Sequence, residues 1–389
     1  MILTADNSPA FYEFFAGGGM ARLGLGPEWR CLFANEWSDK KADVYQANFH
    51  LASERLARQD VARLAPADLP GHADLAWASF PCQDLSLAGN GAGLKGSRSG
   101  TFKPFWSLIE SLKAEGRAPG LVVLENVTGA LTSRGGKDFA YLLNRIAGAG
   151  YRAGALVMDA ARFLPQSRPR LFIVAVREDI EIAGSLARQF PAAPWHTNTL
   201  VQAYRALPSS LRASWIWWNV PSPAVPRQSL AEIVEEYPAD VRWHSQSETA
   251  RLIAMMSDAN LAKLQRLSEL PGRQVGTIYK RTRPDPLTGK KVQRAELRCD
   301  GIAGCLRTPA GGSSRQILVV VEGAAVRTRL LSPREAARLM GIPDSYALPR
   351  RYNDAYHLAG DGLAVPVVSW LSEKLLKPLL SGRKGVVAA

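Results

Sequence analysis

Along residues 11–176, short apolar runs alternate with amphipathic stretches, and each run stops at a polar residue or a glycine turn. FYEFF (11–15) yields to Gly17, Gly18 and Gly19, after which Met20, Leu23 and Leu25 follow at helical spacing. CLFAN (31–35) ends at Glu36 and Trp37, Leu75–Phe80 at Pro81, and Leu121–Leu124 at Glu125 and Asn126. Leu171–Val176 closes the series. Runs this short, bounded by turns, predict buried strands, and stretches such as FWSLIESL (105–112) predict the helices between them. The product is an α/β sheet that delivers polar residues at its strand ends, the rim where such sheets bind ligands.

Beyond Arg177 the alternation is lost. Prolines at 191, 194, 208, 221, 223 and 226 crowd around Trp195, Trp215, Trp217 and Trp218, which places a domain boundary near Glu178–Gly184. Leu252, Met255, Met256, Leu261, Leu264 and Leu267 predict one or two amphipathic core helices over 245–269. Ser332-Pro333-Arg334-Glu335 is a capping box with proline at the first helical position, so a helix is predicted from Pro333 to Gly341. A glycine turn, an apolar run and a final amphipathic helix follow.

Composition narrows the class. With 389 residues, 47% apolar and 21% charged, the chain has the makeup of a globular protein of two or three domains. No run approaches the roughly 18 apolar residues of a membrane span, and the first residues lack a leader pattern, so a cytoplasmic protein is expected. Cys31, Cys82, Cys299 and Cys305 show no C-x-x-C spacing, which argues against a disulfide scaffold and a zinc site; no metal is expected. The net charge of +13 calls for an anionic partner, either nucleic acid or an anionic membrane surface. Arg273–Arg315 holds ten Lys or Arg against three acids, a net +7, and its closing Gly-Ser run offers backbone amides to a phosphate backbone.

Three strand-end positions carry the chemistry of a nucleoside site. Glu36 is placed to accept both ribose hydroxyls, Trp37 to lie on a purine, and Asp60 opens DVARL at another strand end. Arg22 stands where the third glycine of G-x-G-x-x-G would fall, so no pyrophosphate cradle is expected. S-adenosylmethionine therefore fits better than NAD, and an NAD-dependent oxidoreductase is the rival reading. Cys82 follows Pro81 on a loop rich in glycine and serine that is suited to closing over a ligand; a packed thiol is the competing reading. Glu125 reaches the same rim, where partial burial raises a carboxyl pKa. Arg168 and Arg170 alternate into Leu171–Val176, and a period of two puts both guanidinium groups on one face.

In this order, FFAGGGM, NEW, FPCQ, LENV, QSRPR, SPREAARLMG and GDGLAVPV resemble the DNA (cytosine-5) methyltransferase family, over residues 11–182 and 300–376. The chain departs from the family at Glu13, usually aspartate; at Ser79-Phe80, usually Gly-Pro; and at Gly360-Asp361-Gly362-Leu363, usually Gly-Asn-Ala-Val. Cys305 stands where some relatives carry a threonine facing the target nucleotide's backbone. The resemblance implies a doubly wound, Rossmann-like α/β methyltransferase sheet with a second, smaller target-recognition domain. The catalytic domain would be 1–182 completed by 350–389, and the recognition domain 183–349, including the helix at 333–341.

The implied reaction is methyl transfer from S-adenosylmethionine to carbon-5 of a flipped cytosine in double-stranded DNA, with the Cys82 thiolate adding to carbon-6. Glu125 would hold the ring nitrogen and amino group, and Arg168 or Arg170, with Arg170 preferred, the carbonyl oxygen. Phe15, Gly17, Gly19, Glu36, Trp37, Asp60, Pro81, Phe102, Asp361 and Leu363 would line the cofactor. Ser86, Arg98, Lys280, Arg281, Arg283, Arg298, Arg307 and Arg315 would meet DNA, with a short sequence read near Tyr279–Arg298 by a monomer. An RNA cytosine-5 methyltransferase and a catalytically silent DNA-binding relative are the alternatives.

Overall fold

The computed structural model describes residues 8–49, 55–81, 101–223, 228–285, 288–307 and 315–382. Cys82, Ser86 and Arg98 lie outside the described residues. The chain divides into two compact units, one of Met1–Asp159, Pro169–Pro223 and Val365–Ala389, the other of Ala160–Arg168 and Ala224–Ala364.

Seven strands build the first unit's sheet: β1 (Ala10–Phe14), β2 (Arg30–Asn35), β3 (Arg55–Ala57), β4 (Leu75–Ala78), β5 (Leu121–Val127), β6 (Tyr151–Asp159) and β7 (Pro169–Arg177). Their order is β3-β2-β1-β4-β5-β7-β6. The first five are parallel, and β7 runs antiparallel between β5 and β6. From β1 the chain winds outward through β2 and β3, then returns to the other side of β1 at β4, so the topological switch point falls between β1 and β4.

Helices cover both faces: α1 (Met20–Leu25), α2 (Asp39–Asn48), α3 (Phe102–Ala114) and α4 (Lys137–Gly148). Side-chain alternation sends Tyr12, Phe14, Ala76, Ala78, Val122 and Leu124 to one face, where Phe105 and Ile109 of α3 and Phe139 and Leu142 of α4 complete the apolar core. Phe11 and Glu13 point to the other face. There Gly24 of α1 meets the helix Val365–Leu371 so closely that a Cβ on the glycine would stand 2.4 Å from Val368 Cβ. Trp29 Nε1 donates to Ser372 Oγ at 2.9 Å on the same side.

Residues 183–223, expected in the recognition domain, belong to the first unit. Gly154 of β6 explains why: Ile216 O lies 1.9 Å from where its Cβ would be, an approach that bare backbone alone permits. Ile216 N–H donates to Ala153 O at 2.9 Å, and Trp218 Nε1 to Val174 O at 3.3 Å. The change of composition at Arg177 thus marks the end of β/α alternation rather than the domain boundary.

The second unit is organised by an antiparallel sheet of β8 (Arg273–Pro284), β9 (Lys291–Arg298), β10 (Ile317–Glu322) and β11 (Ala325–Leu330), in the order β9-β8-β10-β11. The expected amphipathic segment forms helices Gln246–Ala254 and Asp258–Glu269, whose Leu252, Leu264 and Leu267 pack on Ile278, Leu297 and Val319. Helix Pro333–Arg338 opens with the expected capping box: Glu335 N–H donates to Ser332 Oγ at 3.1 Å and Ser332 N–H to Glu335 Oε2 at 2.7 Å. Glu335 also receives Arg329 at 2.6 Å in a fully buried ion pair. No helix among the described residues is long and apolar enough to cross a membrane.

Candidate active site and cofactor rim

Parallel registry lines up the strand ends of the first unit. Asn35, Phe14, Ala78 and Leu124 are lateral neighbours across β2, β1, β4 and β5. The residues one step further, Glu36, Phe15, Ser79 and Glu125, therefore emerge on one rim. Phe15 has a φ of 56°, a left-handed conformation that bulky residues seldom adopt, and Gly17 follows at 57°. This turn brings Gly17 N–H to Glu36 Oε2 at 2.8 Å, while Ser38 N–H donates to Oε1 at 2.8 Å. Glu36 is only 5% exposed, so the carboxylate is fixed by two amides, and each oxygen keeps acceptor capacity for a further donor. A Cβ on Gly17 would meet nothing within 4 Å. Open bare backbone, a fixed acceptor for hydroxyls and the 75% exposed indole of Trp37 together suit a nucleoside-bearing ligand.

Several expected lining residues do other work. A Cβ on Gly19 would stand 2.3 Å from the Phe49 ring and 2.9 Å from the Tyr45 ring, so this glycine, at φ 80°, admits α2 rather than a ligand. Asp60 is not at a strand end; it caps the 3-10 turn Val61–Arg63, with Oδ1 accepting from Ala62 N–H at 2.9 Å. Phe102 is fully buried at the start of α3, with its ring stacked on Trp106 at 5.7 Å and tilted against Phe80 at 5.6 Å, and it offers no surface to a cofactor. Pro81 is half-buried directly after Phe80. Asp361 and Leu363 fall in the second unit, the first exposed at the end of helix Tyr352–Asp361 and the second buried.

Glu125 and Arg170 meet through antiparallel pairing. Arg170 of β7 sits opposite Val127 and Phe172 opposite Glu125, so Arg170 and Glu125 are diagonal neighbours on one face. Arg170 Nε lies 3.3 Å from Glu125 Oε1, with the side chains 17% and 11% exposed. Asn126, whose role the sequence reading missed although it stands in the same motif, donates from Nδ2 to Phe80 O at 3.2 Å. It ties β5 to the backbone that enters Pro81.

Arg168 does not share this face. It precedes β7, belongs to the second unit and is 2% exposed. Its Nη2 donates to Gly360 O at 2.8 Å and Gly362 O at 2.7 Å, and its Nη1 to Leu306 O at 3.3 Å and Cys305 Sγ at 3.4 Å. The period-two expectation fails because the pleat begins at Pro169. Of the two arginines, Arg170 remains the candidate for a substrate oxygen. Gln166, also missed, is fully buried and donates to Leu339 O at 2.5 Å, fixing the same segment.

In the second unit, Tyr279, Arg281 and Arg283 alternate on one face of β8, facing Glu296 and Arg294 of β9. Glu296 receives Arg281 Nε at 3.3 Å and Arg283 Nε at 2.6 Å, and Arg298 holds Asp300 through two contacts of 2.8 and 2.9 Å. Lys280, expected beside them, takes the opposite face and pairs with Ala295. Arg315 lies over the Tyr352 ring at 5.3 Å and donates to Asn353, and Arg307 is exposed. A surface depression opens among Asn260, Lys263, Tyr279, Arg281, Arg298 and Gly304.

Comparison with known proteins converges on one family. The family model described as C-5 cytosine-specific DNA methylase matches residues 10–377. Type II methyltransferase M.NgoBI of Neisseria gonorrhoeae is 28% identical over 378 residues, covering 96% of this chain and 95% of its own length. Type II methyltransferase M.HhaI of Haemophilus parahaemolyticus is 27% identical over 372 residues, covering 93% and 92%. The solved structure of the Entamoeba histolytica methyltransferase EhMeth matches with a TM-score of 0.63 at 13% identity, covering 96% of this chain and 99% of that one, a likeness of fold.

Proposed function

The chain belongs to the C-5 cytosine-specific DNA methylase family, and we propose that it methylates carbon-5 of a cytosine within a short fixed sequence of double-stranded DNA, from S-adenosylmethionine. When bound, S-adenosylmethionine supplies an electrophilic methyl group; Phe15, Gly17, Glu36 and Trp37 would hold it. The Cys82 thiolate adds to carbon-6, which drives negative charge onto the ring nitrogen and carbonyl oxygen and makes carbon-5 nucleophilic. After transfer, a base takes the carbon-5 proton and the thiolate leaves.

The Glu125–Arg170 pair carries this reading. A carboxyl group can donate a proton to the ring nitrogen and accept from the amino group, while the neighbouring guanidinium meets the carbonyl oxygen, where charge develops during thiol addition. Glu125 stands on the strand that Asn126 fastens to the backbone ahead of Cys82. A paired cytosine must leave the stack to be reached, at a cost of about a few kcal/mol, which phosphate contacts by basic residues such as Arg281, Arg283 and Arg298 would offset.

Bisulfite sequencing of a plasmid co-expressed with the protein tests the reading. Methylation at one cytosine of a fixed sequence, absent with Cys82→Ser, is the expected result. Methyl-cytosine without sequence preference, or confined to RNA, would overturn the substrate; no methylation alongside tight DNA binding would favour the silent alternative.

A further inference from the structure

β8 outruns the sheet it belongs to. Among the described residues β10 pairs with it only as far as Ile278, opposite Ile317, so from Tyr279 to Pro284 β8 pairs with β9 alone. Residues 279–284 and 291–296 thus make a two-stranded antiparallel ribbon about 20 Å long, at about 3.4 Å per residue. Asp285 N–H donates to Lys290 O at 2.8 Å and closes its far end, and Ala295 N–H donates to Met255 O at 3.1 Å at its root. The two faces of the ribbon differ in chemistry. Arg281, Arg283 and Arg294 share one face, and carboxylates engage all three: Glu296 at 3.3 and 2.6 Å, and Asp285 at 2.9 Å. The other face carries Thr282 directly across from Gln293, both exposed, with Lys280 and Lys291 two positions before them on their own strands. A neutral hydrogen-bonding pair is thereby bracketed by two cations along the ribbon, all within the second unit.

We propose that Gln293 is a specificity-determining residue: the ribbon seats in the major groove with its Thr282–Gln293 face against the base edges, and the Gln293 amide reads an adenine of the recognised sequence. The proposal rests on the double-stranded DNA reading and deepens it to one side chain and one base pair. The major groove is about 12 Å wide and admits a two-stranded β-ribbon. There a glutamine amide matches adenine at two points, its oxygen accepting from N6 and its nitrogen donating to N7, and the Thr282 methyl meets the methyl of the paired thymine. Lys280 and Lys291 each end in a compact ammonium that suits the phosphates on either side. Positions 280, 282, 284, 291, 293 and 295 hold no carboxylate, so this face approaches the electronegative groove without repulsion. The opposite face carries Glu296 and Asp285 among its arginines, and its charge serves attraction to the backbone rather than choice of base.

The full-length protein, with S-adenosylhomocysteine present, is used to select duplexes from a randomised pool, and the bound fraction is sequenced. The wild type is expected to yield one consensus that contains an A·T pair. Gln293→Ala is expected to release that pair alone, to bind the wild-type sequence about ten- to a hundredfold more weakly, and to keep its melting temperature, since the side chain is exposed. Gln293→Glu replaces the amide by an acceptor that suits the amino group of cytosine, so the same position is expected to change from adenine to cytosine, which a merely structural role would not produce. An unchanged consensus in both variants, an equal loss on all sequences, or release of a G·C pair overturns the proposal. Absence of any consensus with the wild type overturns it together with the fixed-sequence substrate. Labelled methyl incorporation on the selected duplexes separates the two readings. Methylation at a sequence that both variants preserve removes the role of Gln293 alone, whereas a shifted consensus without methylation keeps that role and removes the proposed activity.

Discussion

Asn126 Nδ2 donates to the Phe80 carbonyl at 3.2 Å, so the strand that presents Glu125 also holds the backbone two residues ahead of Cys82. Its own Oδ1 accepts from Val127 N–H at 2.9 Å, which fixes the side-chain rotamer. Asn126→Ala leaves the Phe80 carbonyl without this donor, a loss of about 1–3 kcal/mol. Single-turnover methyl transfer is expected to fall roughly ten- to a hundredfold, with S-adenosylmethionine affinity within about twofold of wild type. A variant with unchanged turnover and a lowered melting temperature would show that the bond is only structural.

Glu36 presents its carboxylate to two backbone donors, Gly17 N–H and Ser38 N–H, both at 2.8 Å. Glu36→Gln turns one acceptor oxygen into a donor facing an amide, and Glu36→Ala removes both acceptors. Each is expected to weaken S-adenosylmethionine binding by about ten- to a hundredfold, the equivalent of about 1–3 kcal/mol. Calorimetry reads the effect directly, and unchanged binding in both variants removes Glu36 from the cofactor site.

Glu296 neutralises two candidate phosphate ligands at once, Arg281 at 3.3 Å and Arg283 at 2.6 Å. Glu296→Gln should therefore tighten DNA binding at low salt and steepen the fall of affinity with salt by about one charge. Arg283→Ala should shift both quantities the other way. Equal salt slopes for wild type and both variants would take this face out of the interface.

His196 packs edge-on against Trp217, with ring centroids 4.8 Å apart, and accepts from Ala192 N–H at 2.8 Å through Nδ1. Burial first, and the charge of Arg188 second, depress its pKa to about 4 from 6.5. The unfolded chain thus takes up a proton between pH 6.5 and 4 that the folded protein refuses, so stability is complete above this window and declines as pH falls through it. Thermal melts are expected to drop across that range. His196→Asn keeps an acceptor for Ala192 but cannot titrate, and a slope as steep as wild type would assign the decline to other groups.

The strands that frame the rim were legible because each is a short apolar run ended by a polar residue, as at Leu124–Glu125 and Asn35–Glu36. What escaped the sequence were relationships set by residues far along the chain. Gly19 reads as a ligand-facing glycine until Tyr45 and Phe49 are seen closing on it. Phe102 belongs to an aromatic cluster that no local period reveals. Arg168 looked like the partner of Arg170 because alternation was extended one residue before the strand began, whereas its acceptors lie at 305–306 and 360–362. The Trp-rich segment was placed with the recognition domain on composition, and a bare glycine in β6 draws it to the sheet instead.

The covering of α1 by Val365–Leu371 sets the order in which the protein can mature on the ribosome. Gly24, at the first helix, finds its partner Val368 only after the whole second unit has been synthesised. Through most of translation the apolar side of α1 and the indole of Trp29 have no cover from this helix, and Trp29 Nε1 waits for Ser372. The half that carries the rim therefore reaches its final packing only after residues 224–364 have been made, and a ribosome that stalls within them leaves a nascent chain with an open apolar flank for chaperones to hold.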